Sequence, residues 1–295
     1  MKTILILTDF SESSTHAAEY ALYVAMDVRA KVILYNSYYV QQAAPVESGM
    51  FQTYYGDYEV YANDSMANLK AQAEALRSKF ALIGIYNLPE IECKNDIGLI
   101  GDNISKLLDR DKIWMIVMGD KHNDSFLSRF VFGSDSKQII EQASCPLMII
   151  PQEASPAAFK RIVLAYPSLE PENLKCVEFL VELAEPFNAD IEIVHVFENG
   201  SKWQDEQQYP RYFKSVKENL RYEKLAYRKI REEDIPGAIE RFAEAIDSSL
   251  IGLIYKKYSF FKRIFHKSVV ESVMNYHKFP LLVFPDAYTD SEGDG

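Results

Sequence analysis

This chain repeats one pattern twice, and no other feature limits its fold as strongly. KTILILTDFS at Lys2–Ser11 resembles KRIVLAYPS at Lys160–Ser168, and AKVILYNSY at Ala30–Tyr38 resembles ADIEIVHVF at Ala189–Phe197. FVFGSDSKQIIEQASCPLMIIP, ending at Pro151, matches RIFHKSVVESVMNYHKFPLLVFP, ending at Pro285. In that last match Ser134 stands over Ser268 and Pro146 over Pro280, both 134 residues apart, so it runs without a gap. A repeat fixes the number of folding units before any local reading begins. A length of 295 residues agrees, favouring two domains over one.

Within the first copy, short apolar runs alternate with longer amphipathic stretches, the pattern of a parallel sheet with crossover helices. The runs predict strands at Thr3–Thr8, Lys31–Tyr38, Glu90–Lys94, Trp114–Met118 and Leu147–Ile150. Helices are predicted at Ser13–Val28, Tyr61–Ile83, Gly98–Leu108 and Ser134–Ala143, the first opened by capping residues at Ser11–Ser14. The second copy predicts strands at Arg161–Ala165, Asp190–Val196, Leu225–Arg231, Leu250–Tyr255 and Leu281–Phe284. Its helices fall at Pro171–Phe187, Gln207–Asn219, Pro236–Ile246 and Ser268–Tyr276. The fold class is therefore α/β: two Rossmann-like domains, each a five-stranded parallel sheet with helices on both faces. The domains are 1–151 and 160–285, joined by a linker at 152–159 and followed by an acidic, disordered tail at 286–295. Tyr38–Asp64, rich in Tyr, Gln and Ala, is an insertion whose aromatics pack over a pocket or against the other domain.

Composition narrows the function classes. An apolar fraction of 48% and a charged fraction of 25% are those of an ordinary globular protein, against global disorder or a fibre. The longest apolar runs, around Ile4–Leu7 and Leu147–Pro151, fall far short of a membrane span, so no integral membrane association is expected. Asp9 and Glu12 interrupt the first of these, which reads as a buried strand rather than a leader. Cys93, Cys145 and Cys176 are too few and too scattered for a disulfide framework or a metal set, and a reducing cytoplasm is the natural location. The net charge of −11 divides almost evenly, −6 in residues 1–151 and −5 in the remainder. That balance argues against a nucleic-acid partner, whose backbone needs clustered Lys and Arg.

In an open parallel sheet, ligands bind outside the carboxyl ends of the strands where strand order reverses. That rule points to the turn Thr8–Ser11, the end of the second strand near Asn36–Ser37, and the loop after Met118. There Gly119 follows a buried strand, and Gly133 and Ser134 open a helix. Glycines admit close backbone approach, and the free N–H groups of a helix start attract an anion, so a nucleotide phosphate suits this pattern.

These residues, with the repeat itself and the Cys145-Pro146 entry to the last strand, resemble the universal stress protein family. The resemblance covers about 1–151 and 160–285, implying a tandem form with adenine nucleotide alpha hydrolase-like domains. Its ATP-binding members carry G-x2-G-x9-G-[S/T]. The resemblance implies ATP or a related adenine nucleotide, with Mg2+ as a companion, in the first domain. The nucleotide-binding residues are then Thr8, Asp9, Ser11, Ser37, Met118, Gly119, Asn123, Gly133 and Ser134. Asp9 would take the adenosine role, the Ser37 backbone would read the adenine edge, and Gly119, Gly133 and Ser134 would take ribose and phosphates. The motif's second glycine is replaced here by His122 or Asn123, and Asp120 and Asp124 add negative charge. Asn tolerates a left-handed turn better than other non-glycine residues. The family also implies pairing of last strands, which Leu147–Ile150 and Leu281–Phe284 would satisfy within one chain, leaving a homodimer open.

The second copy reads Ala165-Tyr166-Pro167-Ser168 after its first strand, with no carboxylate in Asp9's place, and Lys267 in that of Gly133. Its site should be degenerate and its role structural. Tyr255–Ser268 instead interleaves Lys256, Lys257, Lys262, Arg263 and Lys267 with aromatics, an anion- or membrane-binding pattern or a solvated basic face. The competing expectation is an interaction scaffold that binds no nucleotide and acts through the Tyr-rich insertion and basic loop. A third is an enzyme of the related hydrolase-like group. The leading expectation is a regulatory module that is not an enzyme, since no residues form a triad. His16 reads as exposed on the first helix, Asp109 and Asp111 as turn residues, and Cys145 as packing. His16, His122, His195, His266 and His277 never reach metal-ligand spacing.

Overall fold

The apolar runs are short and unbroken because the strands they form are covered on both faces. β1 (Thr3–Leu7), β4 (Met115–Gly119) and β9 (Leu250–Ile254) are buried at every residue. The structure, a computed structural model, describes residues 1–38, 55–120, 134–156, 158–167, 173–197, 203–256 and 279–290. The remaining strands are β2 (Lys31–Tyr38), β3 (Ile91–Ile97), β5 (Leu147–Ile150), β6 (Arg161–Ala165), β7 (Asp190–Phe197), β8 (Leu225–Arg231) and β10 (Leu281–Phe284). All ten join one sheet in the order β3-β2-β1-β4-β5-β10-β9-β6-β7-β8. Every neighbouring pair is parallel except β5 and β10, which run antiparallel. Each half is thus a five-stranded parallel sheet, and the two are joined edge to edge within the chain.

The helices of the first half are α1 (Glu12–Val28), α2 (Tyr55–Leu82), α3 (Ile100–Arg110) and α4 (Ser134–Gln142). The second half has α5 (Leu174–Ala184) with a 3-10 turn at Glu185–Phe187, then α6 (Trp203–Leu220), α7 (Ile235–Ala245) and the short α8 (Asp286–Asp290). α1, α2, α5 and α6 bury apolar stripes on one face of the sheet, and α3, α4 and α7 on the other. Neither core stops at the seam, since residues of both halves belong to each. At the seam Leu282 pairs with Met148, while Leu281 pairs with Ile149 and Val283 with Leu147. The repeat superposes Leu282 on Met148, so the pseudo-twofold axis passes through that pair. Across the seam, Trp114 stacks on Phe179 with ring centroids 4.6 Å apart and donates its indole N–H to Glu182 at 3.0 Å.

The structure corrects four expectations. α2 begins at Tyr55, not Tyr61, so the last part of the aromatic insertion is helix. The tail is not structureless throughout, because α8 occupies Asp286–Asp290, where Tyr288 packs on Phe179 and Thr289 is buried. His16 is only partly exposed and its Nε2 lies 2.7 Å from the Ala154 carbonyl, so it ties the linker to α1. Asp109 lies inside α3, and only Asp111 ends it, held by Lys94 at 3.1 Å. The linker packs too: Phe159 is fully buried beside Phe187, 4.8 Å between centroids. Tyr38 ends β2, but residues 39–54 and most of the basic loop, 257–268, lie outside the described residues, as does the predicted helix Ser268–Tyr276. Among the described residues no helix is long and apolar enough to cross a membrane.

Candidate functional site

β1 lies between β2 and β4, so the chain leaves it first to one side and later to the other, and the sheet's order reverses there. Such a switch point opens a crevice at the carboxyl ends of the strands. A cleft lies at that place, with about 520 Å³ of empty space counting the part open to solvent. Thr8, Asp9, Ser11 and Ser37 line its rim, with Met118 and Gly119 at the end of β4. Its floor is apolar and comes from four elements: Leu7, Tyr35, Ile100 and Ile139. Asn123 and Gly133, predicted for the same site, lie outside the described residues, and Ser134 is the first residue of α4.

The turn after β1 is held rigidly. Phe10 sits at φ 66°, a left-handed conformation uncommon for a bulky residue, and its N–H donates to Thr8 Oγ1 at 3.0 Å. Asp9 Oδ1 accepts from the Ser11 N–H at 3.2 Å and from Ser11 Oγ at 2.6 Å, which fixes the carboxylate against the start of α1. Ser11 caps that helix, its Oγ accepting from the Ser14 N–H at 3.2 Å. Behind the turn, Gln72 of α2 accepts from Thr8 Oγ1 at 3.0 Å and donates to Thr15 Oγ1 at 2.9 Å.

β2 outruns β1, and this decides what Ser37 presents. The Thr8 N–H donates to the Tyr35 carbonyl on one side of β2, and the Gly98 N–H to the Tyr38 carbonyl on the other. Backbone groups alternate sides along a strand. The Ser37 N–H and C=O therefore face the side that β1 has vacated, toward the cleft. Beneath them, the Tyr35 hydroxyl donates to Asp96 at 3.1 Å. Burial, reinforced by Asp96, raises the Tyr35 phenol well above its usual range, so it remains a donor.

Gly119 meets a steric demand that no local pattern announces. A Cβ there would lie 2.4 Å from Ser13 Oγ and 2.5 Å from the Ser13 carbonyl, and Ser13 Oγ donates to the Asp120 carbonyl at 2.6 Å. The glycine lets α1 start against the exit of β4. Ser13, Ser14, Leu7, Tyr35, Ile100 and Ile139 also line the cleft and have no signal of their own as site residues in the sequence. The polar run Ser11-Glu12-Ser13-Ser14 reads only as a cap. Burial raises the Cys93, Cys145 and Cys176 thiols, Cys145 to about 12, which leaves Cys145 protonated at neutral pH.

The same register places the second copy's counterparts. Leu7 pairs with Tyr35 as Ala165 pairs with Val194, and Gly119 with Ile150 as Ile254 with Phe284. Pro167, Val196 and Ile254 thus stand where the first copy has Asp9, Ser37 and Gly119. α5 begins at Leu174, further past its strand than α1 begins past β1. Asn36 Nδ2 donates to the Thr8 carbonyl at 2.7 Å, and His195 Nδ1 makes the matching bond to the Tyr166 carbonyl at 2.7 Å. His195 is held neutral, its pKa lowered to about 4 by burial against the opposing pull of that carbonyl. Between the ordinary 6.5 and about 4 the unfolded chain takes up a proton that the folded chain refuses, so acid removes stability across that window. The expected loss is about 3 kcal/mol. His195→Asn should flatten the acid limb in urea titrations at stepped pH; an acid limb as steep as wild type would refute the assignment.

The fold and cleft define a two-domain α/β protein with a crevice at the switch point of its first half. The chain matches the universal stress protein family over residues 1–151 and 158–285, and it belongs to that family in its tandem two-domain form. A universal stress protein from Archaeoglobus fulgidus DSM 4304 has the same fold, with TM-score 0.71, 18% identity, and coverage of 96% of this chain and 98% of that one. The functionally unknown protein PA1789 from Pseudomonas aeruginosa PAO1 is similar at TM-score 0.61 and 13% identity, covering 98% of this chain and 94% of that one. In sequence, 95 residues are 27% identical to the Na(+)/H(+) antiporter NhaS5 of Synechocystis sp.. That match covers 32% of this chain and 14% of the antiporter's length.

Proposed function

We propose that the first domain is a regulatory module that binds ATP or a related adenine nucleotide, while the second domain is structural, its own site degenerate. One observation carries this reading: Thr8, Asp9, Ser11, Ser37, Met118 and Gly119, singled out in the sequence, meet around one cleft at the switch point. The apolar floor suits the faces of a base, the outward Ser37 backbone suits its edge, and the Asp9 carboxylate is an acceptor for sugar hydroxyls. Pro167, Val196 and Ile254 support a different role for the second copy, since they supply no carboxylate and no glycine.

Among the described lining residues the one carboxylate is Asp9. A triphosphate carries several negative charges of its own, which a divalent cation offsets as it enters the cleft. Calorimetric titration is expected to show ATP binding strengthened by Mg2+ and adenosine binding unaffected by it. Asp9→Ala should weaken adenosine by roughly 10- to 100-fold, the cost of a charge-assisted hydrogen bond. Failure of every adenine ligand to bind below about 1 mM, which is about −4 kcal/mol, would reject nucleotide binding and leave a scaffold role.

A further inference from the structure

The end of β2 is latched on the side away from β1 by a buried amide. Ser37 Oγ donates to the Gly98 carbonyl at 2.8 Å. Asn103, near the start of α3, donates through Nδ2 to Ser37 Oγ at 2.9 Å and to the Ile97 carbonyl at 3.2 Å. The Gly98 N–H completes the latch on the Tyr38 carbonyl at 2.9 Å. Gly98 holds φ +123°, where side chains are rarely found, and Asn103 is 4% exposed. Ser37 lines the cleft; Asn103 stands behind it.

We infer that Asn103 is a positioning residue that makes the end of β2 discriminate between 6-amino and 6-oxo purines through main chain alone. A serine hydroxyl has one proton and rotates to donate or accept as its partner requires. Here that proton is committed to Gly98, and Asn103 fixes the rotor by donating to the oxygen. Ser37 is left to offer the cleft its N–H and C=O, one donor and one acceptor in fixed order. A 6-amino purine presents an accepting ring nitrogen beside a donating amine; a 6-oxo purine presents a donating ring nitrogen beside an accepting carbonyl. A free hydroxyl would satisfy either edge and blur the choice, which Asn103 prevents. The inference rests on the adenine-nucleotide reading of the cleft.

The test is titration of the wild-type chain, Asn103→Leu and the near-isosteric Asn103→Asp with adenosine and with inosine. Wild type should prefer adenosine by at least about tenfold, the worth of a hydrogen bond made against one left unmade. Both variants should bind adenosine about tenfold more weakly and lose most of the preference. A purely structural role would weaken both ligands equally, and a preference that survives in the variants overturns the inference alone. A wild-type chain that binds neither ligand overturns the adenine reading with it. One measurement needs no variant: adenosine should slow hydrogen exchange of the Ser37 amide, and unchanged exchange there also counts against the inference.

Discussion

Leu282→Asp is expected to break the protein at its middle. Leu282 is fully buried on the pseudo-twofold axis, paired with Met148 across the seam and with Gly252 in its own half. Leu282 belongs to the apolar core on one face of the sheet, so a carboxylate placed there is set among hydrocarbon side chains of the described residues. Its burial costs several kcal/mol, a large part of the roughly 5–15 kcal/mol that keeps a domain folded. The seam is also where the two cores become continuous, so the loss is not confined to one domain. Opening it exposes the β5 and β10 edges, both fully apolar, and edges of that kind associate between molecules. The variant should therefore unfold in separate steps and form aggregates visible by light scattering. Leu282→Ala is the graded version, with an expected cost of about 2–5 kcal/mol. A Leu282→Asp chain that melts in one step within a few degrees of wild type would show that the antiparallel seam does not hold the halves together.

The sequence carried most of the sheet because its central strands are buried on both faces and therefore read as unbroken apolar runs. β2, β5, β6 and β10 fall where those runs begin and end. β3 reads too short because it lies at the sheet's edge, where Glu92, Lys94, Asn95 and Asp96 sit half in solvent and hide the strand. His16 looks exposed in the sequence for a different reason. Its partner, the Ala154 carbonyl, is 138 residues away, and no local pattern announces so distant a bond.

The site divides along the same line. Thr8, Asp9 and Ser11 form one local turn and were legible together, and Met118-Gly119 marked itself as a strand exit. Leu7, Tyr35, Ile100 and Ile139 have ordinary core residue types, and only the pairing of β1 with β2 and the packing of α3 and α4 on that face of the sheet make them one floor. Asn36 and His195 show how far two copies can drift while keeping one bond. Each donates to the carbonyl of the residue just past the first strand, 2.7 Å away in both. Around the first bond lie serines, a threonine and Gln72. Around the second, His195 packs 4.2 Å from both Phe197 and Tyr209, and Tyr166 packs on Phe213 at 5.0 Å. The frame is retained while the polar lining has been exchanged for aromatic packing.

Gly119→Val should remove the cleft and much of the first domain's stability together. The new Cβ would meet the Ser13 main chain, at 2.5 Å from its oxygen and 2.6 Å from its carbonyl carbon, as well as Ser13 Oγ. A hydroxyl can rotate away, but main chain in the first turn of a capped helix cannot, so α1 must shift as a body. That movement drags Ser11 and its bonds to Asp9, and it breaks the Ser13 bond to the Asp120 carbonyl. Overpacking of this kind costs about 1–3 kcal/mol, and the valine's branches place it at or above the upper end. Gly252 supplies the contrast within the same sheet. A Cβ there meets Leu164 Cδ1 at 3.0 Å, the far end of a flexible side chain, and the next atom is 3.5 Å away. Gly252→Ala should consequently change stability by less than about 1 kcal/mol. Urea titration of both variants, with adenosine binding followed in parallel, decides the matter. Equal costs for the two substitutions, or wild-type adenosine affinity in Gly119→Val, would mean that the meeting of α1 with the end of β4 does not shape the cleft.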